Sequence, residues 1–225
     1  QWGCGGLVVD WDLRTNLEGL YAAGGAIYGA GAHSSAAASG RYAGRKAAAH
    51  AMTAPEPHID PRQVEQEKGR VYAPLEPRKQ SMGWKELNAG ICRIMQDYCG
   101  QYKNKATLQL GLRLLQGLGE SEASTVYAAN PHELAHAVEC QSILTVGEAV
   151  IQACLARRAS SALLNFYRLD YPVVDPPEWH KLITVKRVDG QVEASELPLD
   201  YYLQPPYAPT YEENYQRHCD LYFAA

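Results

Sequence analysis

Gly5-Gly6-Leu7-Val8-Val9-Asp10, then Leu17-Glu18-Gly19-Leu20-Tyr21-Ala22-Ala23-Gly24, then the small-residue run from Ser34 to Ala49 decide how the start of this chain is read. The first is a short apolar strand. The second is another strand that enters a glycine turn at Gly24-Gly25, and the third leads into a helix. The expected unit is therefore β-β-α over residues 1–52. Gly24, Gly25, Gly29 and Gly31 let the backbone come close to a ligand, and Ser34-Ser35 are placed to cap a helix beginning near Ala36. Such a helix N-terminus presents unpaired N–H groups and a partial positive charge. Both suit a ligand that carries carbonyl oxygens or developing negative charge.

The composition places this segment in an ordinary globular protein. The 225 residues suffice for one or two domains, with 46% hydrophobic and 20% charged residues. A net charge of -4, with 21 scattered basic residues, leaves no basic footprint for nucleic acid. Six cysteines, Cys4, Cys92, Cys99, Cys140, Cys154 and Cys219, include no C-x-x-C pair, so neither a zinc ribbon nor a cluster-binding loop is expected. Apolar thiols in a helical core of a cytoplasmic protein fit this usage. No signal peptide is read and no apolar run has the length of a membrane span.

Four segments follow from the pattern, and the expected class is α+β, mainly helical. After residues 1–52 comes a proline-rich connector, 53–81, in which Pro55, Pro57, Pro61, Pro74 and Pro77 each remove a helical hydrogen bond, so an extended path is expected. Residues 82–165 carry apolar positions at three- and four-residue steps, including Leu87, Ile91, Ile94 and Met95, then Leu108, Leu112 and Leu115, and predict a bundle of three to four helices. Asn130-Pro131 reads as the N-cap and first residue of the last helix. In 166–225, the β-branched run Lys181 to Val188, the pair Asp189-Gly190 and the run Gln191 to Ala194 predict a β-hairpin followed by an extended tail.

The opening segment resembles the closing part of the FAD-binding region in flavoproteins of the fumarate reductase and succinate dehydrogenase type, which includes the adenylylsulfate reductase alpha subunit. On that resemblance the chain starts inside the motif at Gln1 and is the C-terminal part of something larger. The framework is similar and the chemistry departs. Gln1 stands where fumarate reductases carry a substrate-binding histidine, Gly25 stands in place of an acidic residue, and no arginine occurs between Gly25 and Gly40. Succinate and fumarate are therefore disfavoured, because two carboxylates need cationic donors to replace their hydration. The loop from Gly31-Ala32-His33-Ser34-Ser35 to Gly40-Arg41 is more similar to adenylylsulfate reductase. So are Ile94-Met95-Gln96-Asp97-Tyr98-Cys99-Gly100, Leu112-Arg113-Leu114-Leu115 and Asn165-Phe166-Tyr167-Arg168-Leu169-Asp170-Tyr171.

The resemblance implies a flavin-dependent oxidoreductase subunit with FAD as cofactor. Gly24, Gly25, Ser34, Ser35 and Ala36 would line the cofactor, and His33, the one ionisable residue of the loop, would be the catalytic residue. The implied partners are an N-terminal FAD-binding portion and an iron–sulfur subunit. No complete G-x-G-x-x-G fingerprint follows the opening strand, since Gly29-Ala30-Gly31 lacks its third glycine.

Two other readings remain open at this level. One is a non-catalytic assembly module derived from such a flavoprotein. The other is a zinc hydrolase, because His132-Glu133-Leu134-Ala135-His136 matches H-E-x-x-H. Against the second, Asn130, Pro131 and Glu133 also read as the capped first turn of a helix, which leaves Glu133 a structural role. Arg168 and Asp170 are expected to be a structural ion pair that fixes a helix end, worth about 0–1 kcal/mol if exposed.

Overall fold

The computed structural model describes residues 5–27, 32–76 and 81–219. In chain order the elements are a 3-10 turn at Gly24–Ala26, α1 (His33–Thr53), α2 (Pro61–Tyr72), α3 (Trp84–Tyr98), β1 (Tyr102–Lys103), α4 (Lys105–Glu120), α5 (Pro131–Ala156), β2 (Tyr167–Arg168), β3 (Lys181–Val188), β4 (Gln191–Pro198) and α6 (Tyr211–Cys219). They fall into two compact units, Gln1–Pro57 with Pro198–Ala225, and His58–Leu197.

In the second unit α3, α4 and α5 pack pairwise as the expected bundle. The helical spacing of the apolar residues puts Leu87 and Ile91 of α3, Leu108 and Leu115 of α4, and Ala137, Cys140 and Ile151 of α5 into one buried core. Burying each large aliphatic side chain contributes roughly 1.5–3 kcal/mol. At the crossing of α3 and α4, a Cβ on Gly111 would lie 2.6 Å from Cβ of Tyr98, so only glycine permits that approach. Asn104 and Asn130 cap α4 and α5, accepting from the N–H groups of Thr107 and Glu133. The hairpin is present as expected: β3 pairs with β4, and Asp189 and Gly190 both take left-handed backbone conformations in its turn.

Three local expectations change. The connector is not extended throughout, because α2 occupies Pro61–Tyr72. Asp60 accepts from the Arg62 N–H at 2.9 Å and Pro61 sits at the first helical position, where a missing N–H costs nothing. The tail holds a 3-10 turn and α6 in place of a continuous extended arm. Thr210 starts α6, its hydroxyl donating to Glu213 and accepting from the Glu213 N–H. Fully buried Asn214 ties the preceding loop by donating to the carbonyls of Ala208 and Thr210 and accepting from the Ala208 N–H. Finally, α5 is long and apolar enough, by length and composition, to cross a membrane. It packs here through Ala137, Cys140, Gly147 and Ile151, and its Glu148 receives hydrogen bonds from Arg187 and Gln116.

In the first unit the two opening strands shorten, among the described residues, to single bridges, Leu7 with Ile27 in parallel and Arg14 with Tyr21 antiparallel. Leu7, Val8, Leu17 and Leu20 remain exposed. The turn between them is closed by Asp10, whose carboxylate accepts from the N–H groups of Asp12 and Arg14. The C-terminal segment packs in this same unit. The Trp11 ring lies against Tyr202, Tyr211 and His218, and its indole N–H donates to the Tyr202 carbonyl at 2.7 Å.

Candidate functional site

The proposed site residues gather around the N-terminus of α1. Ala32 is the N-cap, in an extended conformation, and its carbonyl already accepts the first helical bond, from Ala36 N–H at 2.9 Å. The helix therefore starts at His33, three residues before the expected position near Ala36. Ser34 and Ser35 lie inside its first turn and not ahead of it. A methyl side chain accepts no hydrogen bond, so the N–H groups of His33, Ser34 and Ser35 receive no side-chain cap from Ala32. Ser35 performs only the return half of a capping box, its Oγ accepting from Ala32 N–H at 3.2 Å. His33 and Ser34 are exposed, while Ser35 and Ala36 are half-buried.

The glycine turn rests on this first turn. Gly24 has φ +60°, which a side chain would strain, and a Cβ there would approach Cβ of Ala36 to 3.2 Å. Its N–H donates to Ser39 Oγ at 3.0 Å. Gly25 is exposed, with no atom within 4 Å of a Cβ built on it. The structure thus joins Gly24 to Ala36 and leaves Gly25, His33 and Ser34 open to solvent. Gln1 to Cys4, Gly29 and Gly31, also named from the sequence, lie outside the described residues.

A charged cluster on α1 and the N-terminal turn escaped the sequence reading. Asp12 takes Lys46 at 2.6 Å and His218 Nδ1 at 3.0 Å. Burial opposes the Asp12 carboxylate, but the hydrogen bonds from Lys46 and His218 outweigh it and hold its pKa below the ordinary value. The Tyr42 hydroxyl lies 2.9 Å from the His218 carbonyl and 3.1 Å from that of Trp11. No local motif announces this cluster, because its members come from three distant parts of the chain.

In the second unit, Glu133 of the H-E-x-x-H stretch accepts from the Ala129 N–H at 2.8 Å, so its carboxylate closes the first turn of α5. The His136 ring stacks on Trp84 at 4.1 Å between centroids, and its Nδ1 lies 2.7 Å from Glu139. Among the described residues no three His, Cys, Asp or Glu side chains gather as a metal-binding group.

Arg168 and Asp170 do more than an exposed pair. Arg168 is 2% exposed and holds Asp170 through two bonds, at 2.9 and 2.8 Å. Its Nη1 also donates to carbonyls at the C-terminal end of α5, that of Cys154 at 2.6 Å and that of the C-cap Arg157 at 2.7 Å. Asp170 in turn accepts from the Lys105 N–H at the start of α4. Arg168 is the main cause that holds the Asp170 carboxyl down at about 2.

Comparison with known proteins follows the same outline. A profile of the fumarate reductase flavoprotein C-terminal region matches residues 89–212, more than half of the chain. The fumarate reductase flavoprotein subunit of Haemophilus influenzae is 28% identical over an alignment covering 79% of this chain and 32% of that protein. Adenylylsulfate reductase from Archaeoglobus fulgidus superposes with a TM-score of 0.75 at 24% identity, covering 88% of this chain and 36% of that one. The Sdh1 complex of Mycobacterium smegmatis gives 0.68 at 28% identity, covering 86% and 35%. The chain spans about a third of the length of the relatives it matches.

Proposed function

This chain belongs to the fumarate reductase flavoprotein C-terminal family, and from that premise we propose that it supplies one wall of an FAD site and a helical docking unit to a flavin-dependent oxidoreductase. The observation that carries the reading is the start of α1, where an alanine N-cap leaves the first-turn N–H groups, among the described residues, without a side-chain cap beside an open glycine turn.

The residues fit the group. Backbone N–H groups of His33, Ser34 and Ser35 are donors suited to a flavin carbonyl, and the helix dipole favours the negative charge that builds on reduction. Gly25 and Gly24 keep side chains away from that approach, and Ala36 keeps the turn seated. FAD, when bound, supplies the two-electron chemistry. His33, exposed at the first helical position, orients an anionic substrate or moves a proton at its imidazole. Gln1, Gly25 and the absence of arginine from Gly25 to Gly40 argue against a dicarboxylate substrate. The second unit is the surface on which an iron–sulfur subunit would dock, and the remainder of the FAD site would come from an N-terminal flavoprotein portion.

Flavin retention tests the reading. The full chain is titrated with FAD alone, and again with a polypeptide carrying a glycine-rich dinucleotide-binding fold of the same family, while quenching of flavin fluorescence is followed. Weak binding by the chain alone and stoichiometric binding by the pair are expected, with a loss of at least tenfold in Gly25→Val. A yellow chain that holds stoichiometric FAD by itself would overturn the half-site reading. Absence of binding in every combination would overturn the flavin reading.

A further inference from the structure

The C-terminal ends of α3 and α5 bring together two cysteines that the flavin chemistry does not use. Cys99 terminates α3, its N–H closing onto the Met95 carbonyl at 2.9 Å. Cys154 lies in the last turn of α5, 55 positions later, yet the two sulfurs are 3.7 Å apart. Arg168 fixes the second from behind, through its bond to the Cys154 carbonyl.

A buried cation faces the same spot. Lys103 is 5% exposed; its Nζ stands 4.1 Å above the Phe166 ring and reaches the Gln101 carbonyl at 3.5 Å. Among the described residues no carboxylate pairs with it, and both thiols feel its charge. The other cation facing the pair, Arg168, is already bound by Asp170. Cys92 is exposed and buried Cys140 donates toward the Trp84 carbonyl, so neither has a thiol neighbour of this kind.

We propose that Cys99 and Cys154 are a modification site that forms a reversible intramolecular disulfide in response to a hydroperoxide. One of the two thiolates attacks one oxygen of hydrogen peroxide; an S–O bond forms, the O–O bond breaks, and hydroxide leaves, taking up the thiol proton to become water. The second thiol loses its proton and attacks the oxidised sulfur; the S–S bond forms, the S–O bond breaks, and a second water departs. Two thiols thus lose two electrons and two protons, and one peroxide is reduced to two waters. The sulfurs close from contact to about 2.05 Å. Burial opposes the thiolate form of both sulfurs, and the charge of Lys103 favours it at both.

The proposal does not rest on the flavin reading, and its test is separate. The reduced full chain is treated with hydrogen peroxide at neutral pH, blocked with N-ethylmaleimide, digested without reductant and mapped by mass spectrometry. A peptide pair linking Cys99 to Cys154, two hydrogens lighter than its parts and released by dithiothreitol, is expected. Cys99→Ser and Cys154→Ser should each abolish the linked pair and leave the remaining cysteine as a sulfenic acid trapped by dimedone, and Lys103→Met should slow disulfide formation roughly severalfold. Recovery of both cysteines as maleimide adducts while Cys92 oxidises would overturn the proposal. So would absence of dimedone labelling at the remaining cysteine in both Cys99→Ser and Cys154→Ser. The wild-type map needs no substitution, so misfolding of a variant leaves it decisive.

Discussion

The first turns of α1 and α5 are built on opposite plans. At α5, Asn130 accepts from the Glu133 N–H, Pro131 has no N–H to satisfy, and Glu133 returns to the Ala129 N–H. That end is closed by its own sequence. At α1 the N-cap is Ala32, the first two residues are exposed, and among the described residues only the return bond from Ser35 is made. The other end of α5 is closed as well, since Arg168 takes the carbonyls of Cys154 and Arg157. A helix whose ends are closed serves the bundle, whereas one that leaves its donors open beside a bare glycine keeps them available to the group proposed for it.

The largest expected effect breaks the closed side. Arg168→Met removes the donors from the last turn of α5 and leaves Asp170 without its cation, so a loss of about 3–5 kcal/mol is expected in urea denaturation. A loss below about 1 kcal/mol would mean that the junction is no more than a surface pair. Acid sharpens the same point. The Asp170 carboxyl is depressed to about 2 in the folded chain, against about 4 when unfolded, so its contribution is complete above about pH 4 and is lost as pH falls toward 2. After discounting for its partial exposure, about 1–2 kcal/mol of stability should disappear over that window. Asp170→Asn should show no such step when unfolding free energy is measured against pH.

What was legible in the sequence follows the same division. The bundle announced itself because its core uses local periodicity, as in Leu87 and Ile91, and its caps use local motifs, as in Asn130-Pro131. The hairpin was readable from Asp189-Gly190 for the same reason. Asp60-Pro61 and the Thr210 to Glu213 box carried equally local signals for α2 and α6, but the surrounding prolines masked them. The start of α1 was misplaced because serines are good caps and alanine is a poor one, and here the alanine holds the capping position. Other features could not be read at all. The Asp12, Lys46 and His218 cluster, and the Cys99 and Cys154 pair, depend on long-range packing that leaves no spacing in the sequence.

The smallest expected effect tests the open side directly. Ala32→Asp supplies the missing acceptor at the N-cap and a negative charge at the positive end of α1. In the chain alone it should raise stability by about 0.5–1 kcal/mol, the mirror image of the roughly 1 kcal/mol that Asn130→Ala should cost at α5. In the assembled flavoprotein the same carboxylate competes for the donors proposed to face the flavin, so the fraction of FAD retained on gel filtration should fall. The two readouts separate the alternatives. Gain of stability without loss of flavin would mean that α1 is merely an uncapped helix and that the flavin contacts lie elsewhere. Loss of flavin together with the gain would mean that stability was withheld at Ala32 to keep a binding edge free.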